Sequence, residues 1–198
     1  PRNINEYLAP DGVYRCRVCQ QPTRTKIHIP GYGDFEPPIT CDCDKAAEAA
    51  RKERERLEEI DRKRRICFNQ AAMRSWSFEN DDRSNAKLSD AMLRYAVNFP
   101  HFLKEGKGLL LFGPVGTGKS FYAACIANRV IDIGYSAKMT NFATLTNDLQ
   151  GMNEGRNQYI EDLNRYGLLI IDDLGAERKS EYMQEMVFNI IDSRYRSG

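Results

Sequence analysis

Eight residues, Gly113, Pro114, Val115, Gly116, Thr117, Gly118, Lys119 and Ser120, have the types and the spacing needed to hold a polyphosphate. A chain that wraps an anion turns its N–H groups inward, and the three glycines tolerate the positive φ and close approach this requires. Lys119 adds a mobile positive charge that reaches the β- and γ-phosphates, and Ser120 offers its hydroxyl to Mg²⁺. The N-terminus of a following helix lends partial positive charge to the same anion. Both flanks fit, since "GLLLF" reads as a strand and "FYAACIANRVIDIG" as a helix.

A second chemical group closes the buried-strand pattern "YGLLIIDDLG". Ligands of α/β sheets sit at the carboxyl ends of strands, which brings Asp172 near the phosphate loop. Asp172 is expected to hold the Mg²⁺ of Ser120 through water, and Asp173 to orient or deprotonate the water that attacks the γ-phosphate. Glu177 is the next candidate base. Neighbouring residues of a strand point to opposite faces, which leaves the direction of Asp173 open.

A third group is the cysteines. Four of six form "CRVC" (Cys16, Cys19) and "CDC" (Cys41, Cys43), a paired spacing that suits tetrahedral Zn²⁺. So short a segment has little core, and a metal staple gives it stability. Two disulfides are the competing arrangement, and His28 is an alternative fourth ligand. A phosphate loop without a secretory signal points to a reducing, cytoplasmic setting. Cys67 and Cys125 read as plain buried thiols.

These groups need elements to position them. The pattern predicts a strand over 108–112, a helix over 119–133 stopped by Gly134, a strand near 136–141, a helix over 143–150, a strand over 167–172 and a helix over 180–196. Ser180 is the expected N-cap of that last helix, with Met183, Val187, Ile190 and Ile191 on its apolar face. This order describes a parallel α/β sheet. Upstream, residues 44–75 contain neither Gly nor Pro and predict one long helix, laced by acid-before-base pairs such as Glu48–Lys52 and Asp61–Arg65. Its apolar stripe is thin, so it is a solvated spacer or a partner-binding helix, with "RKRR" (62–65) as a possible phosphate contact. A loop, "SWSFENDD", and a further helix closed by Pro100 and Gly106 lead into the phosphate-loop strand.

The composition is permissive. In 198 residues, 41% are hydrophobic and 29% charged, and the net charge of +1 neither demands nor excludes nucleic acid. The longest apolar runs are strand-sized, too short to span a membrane. The N-K-x-D base-reading motif of GTPases and the L-S-G-G-Q signature of ABC transporters do not occur.

Together, "GLLLFGPVGTGKS", "LLIIDDLGAE" and "EYMQEMVFNIIDSRYRSG" resemble the DnaC/IstB-type branch of the AAA+ ATPases, the replicative-helicase loaders and transposition helpers. The resemblance runs from about Phe78 to Gly198. It implies a P-loop AAA+ parallel-sheet core over residues 77–198, the ATPase domain, incomplete at its C-terminus; the cysteines and the charged helical stretch set before it a small zinc-binding module, residues 1–43, and a helical linker or partner-binding helix, 44–76. It further implies that Lys119 and Ser120 bind ATP and Mg²⁺, that Asp172 is the metal-side acid, and that Asp173 stands where most AAA+ proteins carry a catalytic Glu. Asp is usual there in this branch. "SFEND" is similar to the segment that leads into the family's ATPase domain, which makes Phe78 a candidate for packing adenine. The sensor residue and arginine finger of the family lie beyond Gly198, so the chain reads as a fragment able to bind ATP but poorly equipped to hydrolyse it. The function implied is helicase loading on single-stranded DNA by an ATP-bound homo-oligomer, with residues 1–75 contacting the replicative helicase. The alternatives are a transposition helper and a zinc nucleic-acid-binding protein that senses nucleotide without turnover.

Overall fold

The computed structural model describes residues 5–173 and 181–197. Glu177 and Ser180, and the side chain of Met183, lie outside the described residues. The chain divides into two compact units, Pro1–Glu58 and Glu59–Gly198.

In the first unit β1 (Glu6–Leu8) pairs antiparallel with β2 (Tyr14–Cys16), and β3 (Ile27–Ile29) with β4 (Gly33–Phe35). Two-stranded hairpins are marginal alone, so other contacts must hold them. Glu6 supplies some: its carboxylate accepts from the Thr23 hydroxyl at 3.1 Å and from Arg24 at 2.6 Å. The Arg24 guanidinium in turn lies 4.3 Å from the centre of the Tyr14 ring. The buried side chains described here are few, Ala9, Cys16, Thr23 and Cys41.

α1 (Asp42–Cys67) begins in this unit and ends in the second. Asp42 and Asp44 in its first turn and Arg64 and Arg65 in its last complement the helix dipole. Its 26 residues stay almost wholly exposed until Cys67. Sequence propensity carries the helix on to Ser75, but it stops where Cys67 and Phe68 enter the core, and residues 71–75 resume only as a short 3₁₀ turn. Packing overrides propensity at this point. Burial pushes the Cys67 thiol up to about 12 and the Cys125 thiol likewise, as expected for inert core cysteines.

In the second unit α2 (Ala86–Val97) and α3 (Phe99–Lys104) precede α4 (Lys119–Asp132), β5 (Ala137–Asn141), α5 (Phe142–Gly151), α6 (Arg156–Asn164), β6 (Leu168–Asp172) and α7 (Glu181–Arg196). β5 and β6 are parallel, with Ala137 opposite Leu168 and Asn141 opposite Asp172. α4 is the central pillar because it is apolar on two sides. Ala123, Ala124, Ala127 and Ile131 meet Cys67, Phe68 and Met139, while Tyr122, Ile126 and Val130 meet Met92, Tyr95 and Phe99. The small alanines permit close approach on the first side. A third cluster joins Leu145, Leu149, Leu163 and Ile190.

Two further expectations change, and one helix is new. Residues 108–112 join no ladder with the described residues, and Leu110 and Phe112 are 77% and 88% exposed. An apolar run becomes a strand only when a neighbour takes its N–H and C=O groups. Pro100 does not close a helix but sits in the first turn of α3, where a missing N–H costs nothing. α6, which carries little apolar periodicity, was not predicted at all. An apolar cavity of about 450 Å³ lies between Tyr95, Phe102 and Leu103 on one side and Leu169, Ile171 and Ile191 on the other.

Candidate functional site

The loop before α4 adopts the backbone that its glycines allow. Gly113, Gly116 and Gly118 have φ of 147°, 83° and 81°, and Gly118 is the N-cap of α4. Thr117 donates its hydroxyl to the Pro114 carbonyl at 2.9 Å, which tightens the turn. Lys119 folds over the same loop, its Nζ donating to the carbonyls of Gly113 at 3.0 Å and Pro114 at 2.7 Å. Val115 is fully exposed at the tip, and Ser120 is half-buried in the first turn of α4. All eight loop residues are therefore gathered at one helix N-terminus, where orphan N–H groups and the dipole favour an anion. Phe78 is half-buried, in a short 3₁₀ turn capped by Ser77 and Asn80, and packs against the Tyr122 side of α4.

Asp172 ends β6 opposite Asn141, the residue that caps α5 through the Thr144 N–H at 2.8 Å. Asp173 has φ of 53°, so the strand is already broken there and strict alternation of faces no longer applies. Its N–H donates to the Asp172 carboxylate at 3.1 Å. Both acids line a small polar cavity of about 90 Å³, together with Asn69, Gln70, Thr140 and Asn141. The phosphate loop is not part of that lining. Asn69, Gln70 and Asn141 were missed from sequence; only the position of Asn141 at a strand end signalled it.

The four cysteines converge. Sγ atoms of Cys16, Cys19, Cys41 and Cys43 all lie within 4.8 Å of one another, and all are free thiols. Cys41 and Cys43 are 3.2 Å apart and Cys16 and Cys43 3.4 Å, too far for the roughly 2.05 Å of a disulfide. A tetrahedral metal with bonds of about 2.3 Å to sulfur requires edges of about 3.8 Å, so the quartet fits one ion. Cys16 accepts the Val18 N–H at 3.4 Å. With the N–H of Cys19 foremost, these backbone donors hold its thiol down at about 7. The tight C-x-C spacing has a local cause: Cys41 immediately precedes α1 and Cys43 lies in its first turn. Gln21, which sequence did not signal, joins the two halves. Its side chain accepts the Asp42 N–H at 2.8 Å and donates to the Asp42 carboxylate at 2.7 Å.

Two candidates fall away. His28 is not in the quartet; it sits exposed on β3 with its Nδ1 2.6 Å from the Asp34 carboxylate. The "RKRR" run is not a free basic patch. Arg62 pairs with Glu59 at 2.8 Å, Lys63 donates to the Gly134 carbonyl at 2.7 Å, Arg64 pairs with Asp132 at 2.7 Å, and Arg65 pairs with Asp61. No described helix is long and apolar enough to cross a membrane.

Known proteins resemble this chain in sequence and fold. The model of the family described as IstB-like ATP binding protein matches residues 45–198. An insertion-sequence ATP-binding protein of Sinorhizobium fredii is 34% identical over 96 residues, 48% of this chain and 32% of that protein. The replicative helicase loader DnaC of Buchnera aphidicola subsp. Baizongia pistaciae is 30% identical over 129 residues, 61% of this chain and 51% of the loader. The chain thus spans about a third to a half of the length of these relatives. A crystal structure of DnaI shares the fold, with a TM-score of 0.53 and 23% identity over 66% of this chain and 72% of that one. The fold is accordingly α/β of the P-loop AAA+ type. On the strength of a family match over more than three quarters of its length, the chain belongs to the IstB-like ATP-binding proteins, the family that includes the DnaC-type loaders.

Proposed function

We propose that the chain works in DNA replication as an ATP-dependent loader of a ring helicase, with ATP as the switch for assembly on single-stranded DNA and for helicase delivery. The observation that carries this reading is the combination, in one chain, of a phosphate loop at the head of α4 and a convergent cysteine quartet at the head of α1. The first is a nucleotide site; the second makes a small rigid head suited to docking on another protein.

Residues Gly113 to Ser120 hold the triphosphate. Lys119 exchanges two neutral carbonyl partners for charged phosphate oxygens, and charge-assisted hydrogen bonds are roughly twice as strong as neutral ones. Ser120 and Asp172 hold Mg²⁺, which when bound neutralises charge on the β- and γ-phosphate oxygens. Asp173 orients the attacking water and accepts its proton, and Phe78 packs against adenine. Cys16, Cys19, Cys41 and Cys43 hold Zn²⁺ and staple residues 1–43, while 44–76 link or bind the partner and 77–198 form the ATPase domain. Hydrolysis is completed by groups supplied when ATP-bound copies assemble, and those copies contact single-stranded DNA through many weak phosphate contacts.

A transposition helper is the second reading, favoured by the insertion-sequence relative. The test is capture from lysate by the intact chain and by Cys41→Ser, each with ATP and with ADP. Retention of the replicative helicase by the intact chain, lost in Cys41→Ser while ATP binding persists, supports loading. Retention of a transposase instead supports the second reading.

A further inference from the structure

A hydrogen-bonded cluster beside the phosphate loop has no part in the chemistry described so far. Tyr122 lies in the first turn of α4 with its ring against Gly118; a Cβ on that glycine would stand 3.4 Å from the ring. The side chain is 5% exposed, and a buried phenol needs partners for its hydroxyl. It has two, both from the stretch before the phosphate loop: Ser89 Oγ of α2 at 2.8 Å and the Asp81 carboxylate, to which it donates at 3.1 Å. The residues just before Asp81 are pinned to α4, because Asn128 donates to the carbonyls of Met73 and Trp76, each at 2.8 Å. Asp81 therefore sits within one tyrosine side chain of the last glycine of the phosphate loop, and Phe78 offers an aromatic ring three residues before it.

We propose that Asp81 is the residue that selects adenine over guanine, and that Tyr122 is the positioning residue that aims it. The proposal rests on the reading of Gly113–Ser120 as the phosphate site. Adenine presents an amino donor, N6, where guanine presents an acceptor, O6. An ionised carboxylate only accepts, so it bonds the first and repels the second. It has about four acceptor positions, and two, both on Oδ1, are engaged by the Tyr122 hydroxyl and by the Arg83 N–H at 3.1 Å. Burial opposes ionisation of Asp81, but the hydrogen bonds its carboxylate accepts outweigh it and keep the carboxyl below its ordinary range. The turn over 78–80 does not use this carboxylate, since it is closed by the Asp81 N–H on the Phe78 carbonyl at 3.3 Å; the carboxylate closes the next turn through Oδ1, on the Arg83 N–H.

The test uses the whole chain and three probes, ATP, GTP and inorganic tripolyphosphate, titrated by calorimetry. The wild type should prefer ATP by about tenfold or more, the size of one charge-assisted hydrogen bond. Asp81→Asn, whose amide can donate to O6, should bring the ATP and GTP affinities to within about threefold while tripolyphosphate binding stays constant. Tyr122→Phe keeps the ring against Gly118 and should narrow the ratio part of the way. An unchanged ATP-to-GTP ratio in Asp81→Asn overturns the proposal. So does a parallel loss for all three probes in both variants, which would make the cluster only a brace. Wild-type protein that binds neither ATP nor tripolyphosphate overturns the phosphate-loop reading itself.

Discussion

The two candidate sites are built in opposite ways. The cysteine quartet is held by short local elements with very few buried side chains around it, and its geometry comes from a turn at Cys16–Cys19 and the start of one helix. The phosphate loop has a conformation set by its glycines, but it is placed by α4, which is clamped between two hydrophobic clusters. Stability follows the same division. Where the core is thin, a metal held by the quartet would supply the cohesion; where the core is substantial, a bound nucleotide would add function to a fold that stands without it.

The comparison breaks most visibly under chelation. Structural zinc contributes on the order of 10–16 kcal/mol in small zinc modules, so its removal under reducing conditions should abolish hydrogen-exchange protection over residues 5–41. Amides of α4 should keep theirs. Equal loss in both regions would show that the units are not independently stabilised. Next in size is Leu145→Ala, which empties a site only 1% exposed and should cost about 2–5 kcal/mol in urea unfolding of the second unit. The metal content should remain one ion per chain. Ala127→Leu, fully buried where α4 meets Cys67 and Phe68, should cost about 1–3 kcal/mol through overpacking. Smallest is Arg64→Ala, which removes a half-exposed ion pair with Asp132 and should shift stability by no more than about 1 kcal/mol.

Legibility from sequence also divides along this line. The loop, α4 and the quartet follow from short-range rules: glycines where φ is positive, periodic apolar residues in α4, and paired thiols. Residues 108–112 could not be read this way, since a strand depends on a neighbour remote in sequence. The end of α1 was missed because the burial of Cys67 and Phe68 is a tertiary effect, invisible to helix propensity. α6 has only Tyr159, Ile160 and Leu163 turned toward the third cluster, too few to register as periodicity. At the site, Asp172 was legible as a strand end, whereas the left-handed turn at Asp173 was not. Gln21 and Tyr122 carry no motif, and Asp81, although it ends "SFEND", gives no sign of its partners in sequence; only side-chain geometry reveals them.

The account stands on the phosphate loop as an ATP site, and titration calorimetry of MgATP into the wild type and Lys119→Ala tests this directly. The wild type should bind one ATP per chain, and the variant should lose at least about tenfold in affinity, since a charge-assisted hydrogen bond is worth about 1.5–3 kcal/mol. Its metal content and melting temperature should match the wild type. Identical ATP affinity in the two proteins would contradict the account.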